Sequence, residues 1–188
     1  MLRQTLERTK NSVVLPLYFV GFLWLIHIVN SALFSYSFSS LGIVPRTFSG
    51  LSGIFFAPFL HGSYNHIIGN SIMIFLLSWI ICFYNKKIWF QSLLWGTLVG
   101  GLITWLIGSS GLHIGASILV FALWGTILGL AIFQRNAFFI IASLILCSTY
   151  GVSMFMGLVP QPNISFAGHL GGLIAGFICA KNMRKQEY

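Results

Sequence analysis

"HIGASILVFALWG" (residues 113–125) sets one serine, Ser117, at the edge of a run that is otherwise apolar. A serine in such a place can pack as a small residue or hydrogen-bond back to its own helix. It can also be a nucleophile held away from bulk water, provided a base lies within reach. The run around it covers residues 115–134, the roughly 20 residues that a helix needs to cross a bilayer core. Five similar runs cover 12–34, 64–84, 88–107, 137–158 and 164–181. The chain is 57% hydrophobic and 6% charged, whereas soluble domains are about 25% charged. These features predict an all-α membrane protein, one domain over residues 1–188, built as a six-helix transmembrane bundle without internal repeats.

The cations orient that bundle. Arg3, Arg8 and Lys10 precede the first run, Lys86 and Lys87 separate the second from the third, and Arg135 separates the fourth from the fifth. Lys181, Arg184 and Lys185 close the sixth, which leaves Arg46 alone on the opposite side. The positive-inside rule then places both termini in the cytoplasm of a multi-pass protein, with the bacterial plasma membrane as the expected location. The net charge of +8 is spent on this orientation and forms no patch that could follow phosphates, so nucleic acid is not an expected partner. The apolar run behind the basic N-terminus continues to Phe34 and reads as a retained span, not a cleaved leader. Residues 35–60 carry Phe48, Phe55, Phe56 and Phe59 among glycines and are expected to lie in the outer interfacial zone. Cys82, Cys147 and Cys179 match no metal or disulfide spacing and read as buried small hydrophobes.

The acids are Glu7 and Glu187, both terminal, and there is no aspartate. That excludes a carboxylate relay, an aspartyl protease pair and a carboxylate-held metal within the membrane, and no cofactor is expected. Chemistry has to come from serine, histidine, asparagine and the backbone. Ser117 near one end of its run and His169 in "SFAGHLGGLIAG" fall at matching depth on different helices. His66 and Asn70 in "HGSYNHIIGN" stand one turn apart on a third. Gly168, Gly172 and Gly176 repeat every four residues, and Gly125 and Gly129 offer a matching smooth face after Ser117, so the two helices can approach closely.

Each residue alone has a plainer reading. Ser117 could only pack, His66 and Asn70 could only solvate a helix end, and His27 and Asn30 are expected to reach toward the surface. His113 is expected to be solvated in a loop. The conjunction at one depth favours a serine–histidine dyad in which His169 takes the Ser117 proton. Phe121, one turn after Ser117, could stack on the imidazole. His66, Asn70 and the Ser117 amide could donate to a developing oxyanion. A bis-histidine haem protein is disfavoured because His61 and His66 would stand about 140° apart on a helix, from ~100° per residue. A transporter is disfavoured by the absence of intramembrane charge and of repeats.

"HGSYNHIIGN", "GASILVFALWG" and "GHLGGLIAG" occur in this order on the second, fourth and sixth runs. They resemble the rhomboid intramembrane serine proteases in their minimal six-span form. The resemblance implies Ser117 as nucleophile, His169 as general base and acid, and His66 with Asn70 at the oxyanion site. It gives His61 a more structural role, places Gly115 beside the nucleophile, and makes Gly172 and Gly176 the small residues facing the serine helix. It implies transmembrane proteins as substrates, cut near the outer face of the bilayer where a helix unwinds easily. It sets no oligomeric state. Ile118 stands where the family usually has glycine after the nucleophile, Phe121 where it often has tyrosine, and "VPRTFSG" keeps only Arg46 of a common tryptophan–arginine pair. The alternative carried by Ile118 is an inactive relative that binds membrane helices without cutting them.

Overall fold

Helix α1 (Leu2–Leu33) runs through the basic N-terminal segment as well as the apolar one, so the first helix is longer than its apolar run. It belongs to a computed structural model that describes residues 2–162 and 164–183. Arg184, Lys185 and Glu187 lie outside the described residues. A connector follows with the short helix α2 (Gly53–Phe56), flanked by 3-10 turns at Ser37–Leu41, Ser49–Leu51 and Ala57–Phe59. Then come α3 (Tyr64–Tyr84) and α4 (Lys86–Trp95), which passes through a π-helical turn (Gly96–Gly100) into α5 (Gly101–Ile107). The last three helices are α6 (Ser117–Phe133), α7 (Ala137–Met156) and α8 (Phe166–Asn182). Among the described residues β pairing is limited to one antiparallel bridge, Ile43 with His113.

Among the described residues, four helical stretches are long and apolar enough to cross a membrane: Glu7–Leu33, Tyr64–Tyr84, Lys86–Ile107 and Ala137–Met156. Helices α6 and α8 have 17 residues each. At 1.5 Å per residue that is roughly 25 Å, a little short of a ~30 Å hydrocarbon core.

Polar caps set the helix starts. Ser63 accepts from the His66 amide at the head of α3, and Asn85 accepts from Lys87 at the head of α4. Asn136 caps α7 through Phe139, and Ser165 caps α8 through Gly168. Each satisfies an amide that the first helical turn would otherwise leave without a partner.

Helix α6 is apolar on every side and is buried from Ile118 through Ile127, as a central helix should be. Its closest partner is α8, and the reason is glycine. A Cβ on Gly172 would collide with the Ile118 carbonyl oxygen, one on Gly176 with the Ala122 carbonyl, and one on Gly125 with the Leu173 carbonyl. The π turn joins the same crossing: a Cβ on Gly100 would stand 3.2 Å from Gly172, and one on Gly171 would stand 2.7 Å from the Gly100 carbonyl. Three backbones therefore meet where no side chain fits, the small-residue packing that substitutes for a hydrophobic driving force in lipid.

The α1–α3–α4 side uses tryptophan and serine instead. Trp24 donates to Ser71 (3.0 Å), Trp79 to Ser12 (3.0 Å) and Trp89 to Ser78 (2.8 Å). Helix α7 packs chiefly on α6, through Phe139, Ser143, Leu146 and Met154, and exposes most of its other side chains. Cys147 is among those exposed, which corrects the expectation that all three cysteines are buried. In the connector Phe48, Phe55 and Phe56 are exposed, but Phe59 packs edge-on against Phe19 and Phe22 of α1. Arg46 adopts a left-handed backbone and its guanidinium donates to the Leu106 and Gly108 carbonyls, tying the connector to the end of α5.

Candidate active site

Ser117 opens α6, and the loop before it is shaped by Gly115. That glycine has φ +125°, a conformation L side chains rarely adopt, and its N–H donates to the Ala57 carbonyl at 2.9 Å. A Cβ there would stand 2.6 Å from both His66 Nε2 and His66 Cε1, and 3.6 Å from Asn70 Nδ2. The His66 ring and the Asn70 amide thus converge on the backbone two residues before the serine. The next amide, of Ala116, donates to His61 Nε2 at 3.4 Å.

Asn70 Nδ2 is buried and has no hydrogen-bond partner among the described residues. A buried donor left open costs about 1–3 kcal/mol, so a position of this kind suits a group that binds an incoming acceptor.

His169 is buried on α8, and its Nδ1 lies 2.6 Å from the Gly157 carbonyl oxygen. A carbonyl only accepts, so Nδ1 carries the hydrogen and the neutral ring keeps its lone pair on Nε2. The ring stacks on Phe121 at 4.3 Å between centroids and 14° between planes, the stacking expected one turn after Ser117. Gly157 has to be small: a Cβ there would stand 2.8 Å from Phe121 and 3.1 Å from His169 Nδ1. The Gly157 carbonyl and the Phe121 ring together fix the orientation of the His169 imidazole.

Ser117, His169, Asn70 and Phe121 line one groove of about 340 Å³, closed on the far side by Tyr150, Ser153 and Met154 of α7. Behind Ser117 lies a second, much smaller cavity of about 20 Å³, bounded by Ile118, Thr104, His113 and Ser165. Ile118 borders that small cavity and the notch at Gly100, and the groove is lined without it. The arrangement can take a proton from a hydroxyl and hold a developing oxyanion.

Several polar residues are not where the sequence alone suggested. His113 is buried, its Nδ1 2.6 Å from Ser165 Oγ and its Nε2 3.0 Å from the Ser109 carbonyl, because the bridge to Ile43 draws the loop inward. His27 and Asn30 are buried rather than reaching for the surface. Asn30 Oδ1 accepts from the Phe38 amide, and His27 sits among the rings of Trp24, Tyr36, Tyr64 and His61. His61 and His66 do touch, at 5.1 Å and 70°, because His61 precedes the helix that starts at Tyr64 and helical angles do not apply to it. In that edge-on contact no macrocycle fits between them. Burial pushes the His61 imidazole down to about 3, with the neighbouring His66 and His27 adding to the effect. Residues 61, 66, 70, 115, 117, 121 and 169 gather at one end of the bundle, and Gly172 and Gly176 hold α8 against α6 below them. The Gly157 carbonyl against His169 and the His113–Ser165 pair are contacts the sequence did not mark.

A family model described as the Rhomboid domain matches residues 49–186. A protein of Mycobacterium tuberculosis is 32% identical over 174 residues, covering 86% of this chain and 71% of its own length, and one from Mycobacterium bovis matches equally. A third, from Mycobacterium leprae, is also 32% identical and is covered over 67% of its length. All three carry the description uncharacterised protein. No solved structure matches the chain.

Proposed function

The chain belongs to the rhomboid family, and we propose that it is an intramembrane serine endopeptidase that cuts transmembrane segments near the outer face of the bilayer. In this reading it is one domain over 1–188 that crosses the membrane six times, α6 and α8 included, with both termini in the cytoplasm of a plasma membrane. The observation that carries the proposal is the fixed state of His169. Its Nδ1 hydrogen is committed to Gly157 and its ring is stacked on Phe121, leaving Nε2 as a base beside the groove it shares with Ser117.

The steps follow from those atoms. His169 Nε2 takes the Ser117 proton as Oγ attacks the peptide carbonyl carbon. The oxyanion accepts hydrogen bonds from Asn70 Nδ2, His66 and the Ser117 amide; one such donor is worth about 10²–10³ in rate. The imidazolium gives its proton to the leaving amine, and an acyl-enzyme remains on Ser117. Water then attacks the ester with His169 again as base, releasing the acid and the serine. The 20 Å³ cavity behind Ser117 is large enough for one water, which needs about 10–15 Å³. A helical substrate hides its carbonyls in its own hydrogen bonds, so a segment that unwinds easily is the natural target.

Labelling of the detergent-solubilised protein by a fluorophosphonate tests the reading, wild type beside Ser117→Ala and His169→Ala. Labelling that disappears in both variants is expected. A well-folded wild type that takes no label would favour the helix-binding, non-cutting alternative. Ile118, bordering the small cavity, would then be changed to glycine to see whether labelling appears.

A further inference from the structure

We propose that the His113–Ser165 hydrogen bond is a positioning clamp that sets the spacing of nucleophile and base; the inference rests on the reading of Ser117 and His169 above. His113 stands four residues before Ser117, and Ser165 stands four residues before His169. The bond between them, 2.6 Å from Nδ1 to Oγ, therefore ties together the leads into the two helices that carry the dyad.

Its polarity is fixed from both ends. His113 Nε2 faces the Ser109 carbonyl, so Nε2 carries the hydrogen and Nδ1 is the acceptor. Ser165 must then donate its hydroxyl hydrogen to Nδ1, while its oxygen accepts the Gly168 amide at 3.1 Å as the cap of α8. The His169 amide donates to the Ser165 carbonyl at 3.0 Å, so the base follows the cap within a single turn.

The other half of the clamp is equally held. The backbone of His113 exchanges two 2.9 Å hydrogen bonds with Ile43, and the Gly115 amide is bound to Ala57, so the loop cannot slide without breaking the connector pairing. Without the side-chain bond, the glycine seam between α6 and α8 still fixes how closely the helices approach. The seam offers smooth surfaces, and its hydrogen bonds, from Thr126 to the Gly176 carbonyl (3.5 Å) and from Gln134 to the Ala180 carbonyl (3.3 Å), lie more than two turns away from Ser117, so it restrains sliding at that level less well. The clamp restrains that movement.

The experiment uses the full chain in detergent and reads fluorophosphonate labelling as a maximal rate and a half-saturating concentration, with thermal unfolding recorded beside it. His113→Ala is expected to lower the maximal rate about 10–100-fold, the scale of a misplacement near 1 Å, with half-saturation moving less than about twofold. Ser165→Thr, which keeps the hydroxyl, should label as wild type. Ser165→Gly keeps most of the cap but loses the donor, and should match His113→Ala; the double variant should be no slower than either. His113→Ala at the wild-type rate, or losses that multiply in the double variant, would overturn the clamp. Should His113→Ala not fold, Ser165→Gly carries the same comparison. A second readout is independent of activity: the ¹⁵N signals of the His169 ring in histidine-labelled protein should move in Ser165→Gly. If the wild type takes no label, the dyad reading fails by itself. Unmoved His169 signals would then also overturn the clamp, and displaced ones would uphold its positioning of the ring.

Discussion

The two walls of the groove are made differently. On one side, the α6–α8 seam brings backbone against backbone at Gly172, Gly176 and Gly125, so closely that a methyl group has no room. On the other, α7 contributes Tyr150, Ser153 and Met154 to the groove but leans on α6 through a few side chains, with most of its surface turned outward. Ser117 and His169 both sit on the tight side. In the proposed reading the chemistry needs fixed distances, while a transmembrane substrate needs a way in. The contrast then assigns rigidity and access to different helices.

That contrast can be broken by substitution. The largest effect is expected across the groove: Asn70→Ala should lower the labelling rate about 10²–10³-fold, while Ser153→Ala on the α7 wall should change it less than about threefold. Equal losses would mean that both walls hold reacting atoms. Next come the glycines. Gly172→Ala should cost about 1–3 kcal/mol or more by overpacking against a carbonyl that cannot move aside, read as a lower unfolding temperature.

The connector supplies a test by pH. With His61 neutral in the fold down to about 3 and an ordinary value near 6.5 when unfolded, the unfolded chain takes up a proton that the folded one refuses. Stability should therefore fall as pH drops from about 6.5 toward 3, and His61→Asn should flatten that slope. The smallest effect is expected in α7. A Cβ on Gly151 meets only Cys147 Cβ at 3.7 Å, so Gly151→Ala should stabilise by about 0.4–1 kcal/mol. Destabilisation there would show that α7 is packed more tightly than its exposed surface suggests.

The helices, and the stacking of Phe121 on His169, are legible in the sequence because they depend on local rules. Apolar length marks the runs, and helical spacing places Phe121 over the face of Ser117. The four-residue glycine repeat announces the seam. What was not legible depends on distant pairing. His113 is buried by a bridge to Ile43, some 70 positions earlier, and nothing near His113 announces it. The Gly157 carbonyl was invisible for another reason: every residue has a carbonyl, and which one faces His169 depends on how the chain folds back between α7 and α8. The His61–His66 contact crosses the start of the helix at Tyr64, and the ~100° per residue that would separate two helical positions does not hold across that boundary.

The π turn at Gly96–Gly100 has a further consequence. It carries one residue more than a regular helix would need, and that surplus lets neighbouring positions address different partners: Gly100 faces Gly172, while Gly101 faces Ile54 in the connector. Deleting a single residue here would restore ordinary helical winding, and because the wide turn holds its surplus locally the helix beyond would keep nearly the same facing. Thr104, Trp105 and the carbonyls that Arg46 binds would stay near their partners, but one position would be missing from the pair that serves the seam and the connector. Such a deletion should therefore be felt first where Gly100 crosses Gly172 and Gly101 meets Ile54, and not in the helix that follows.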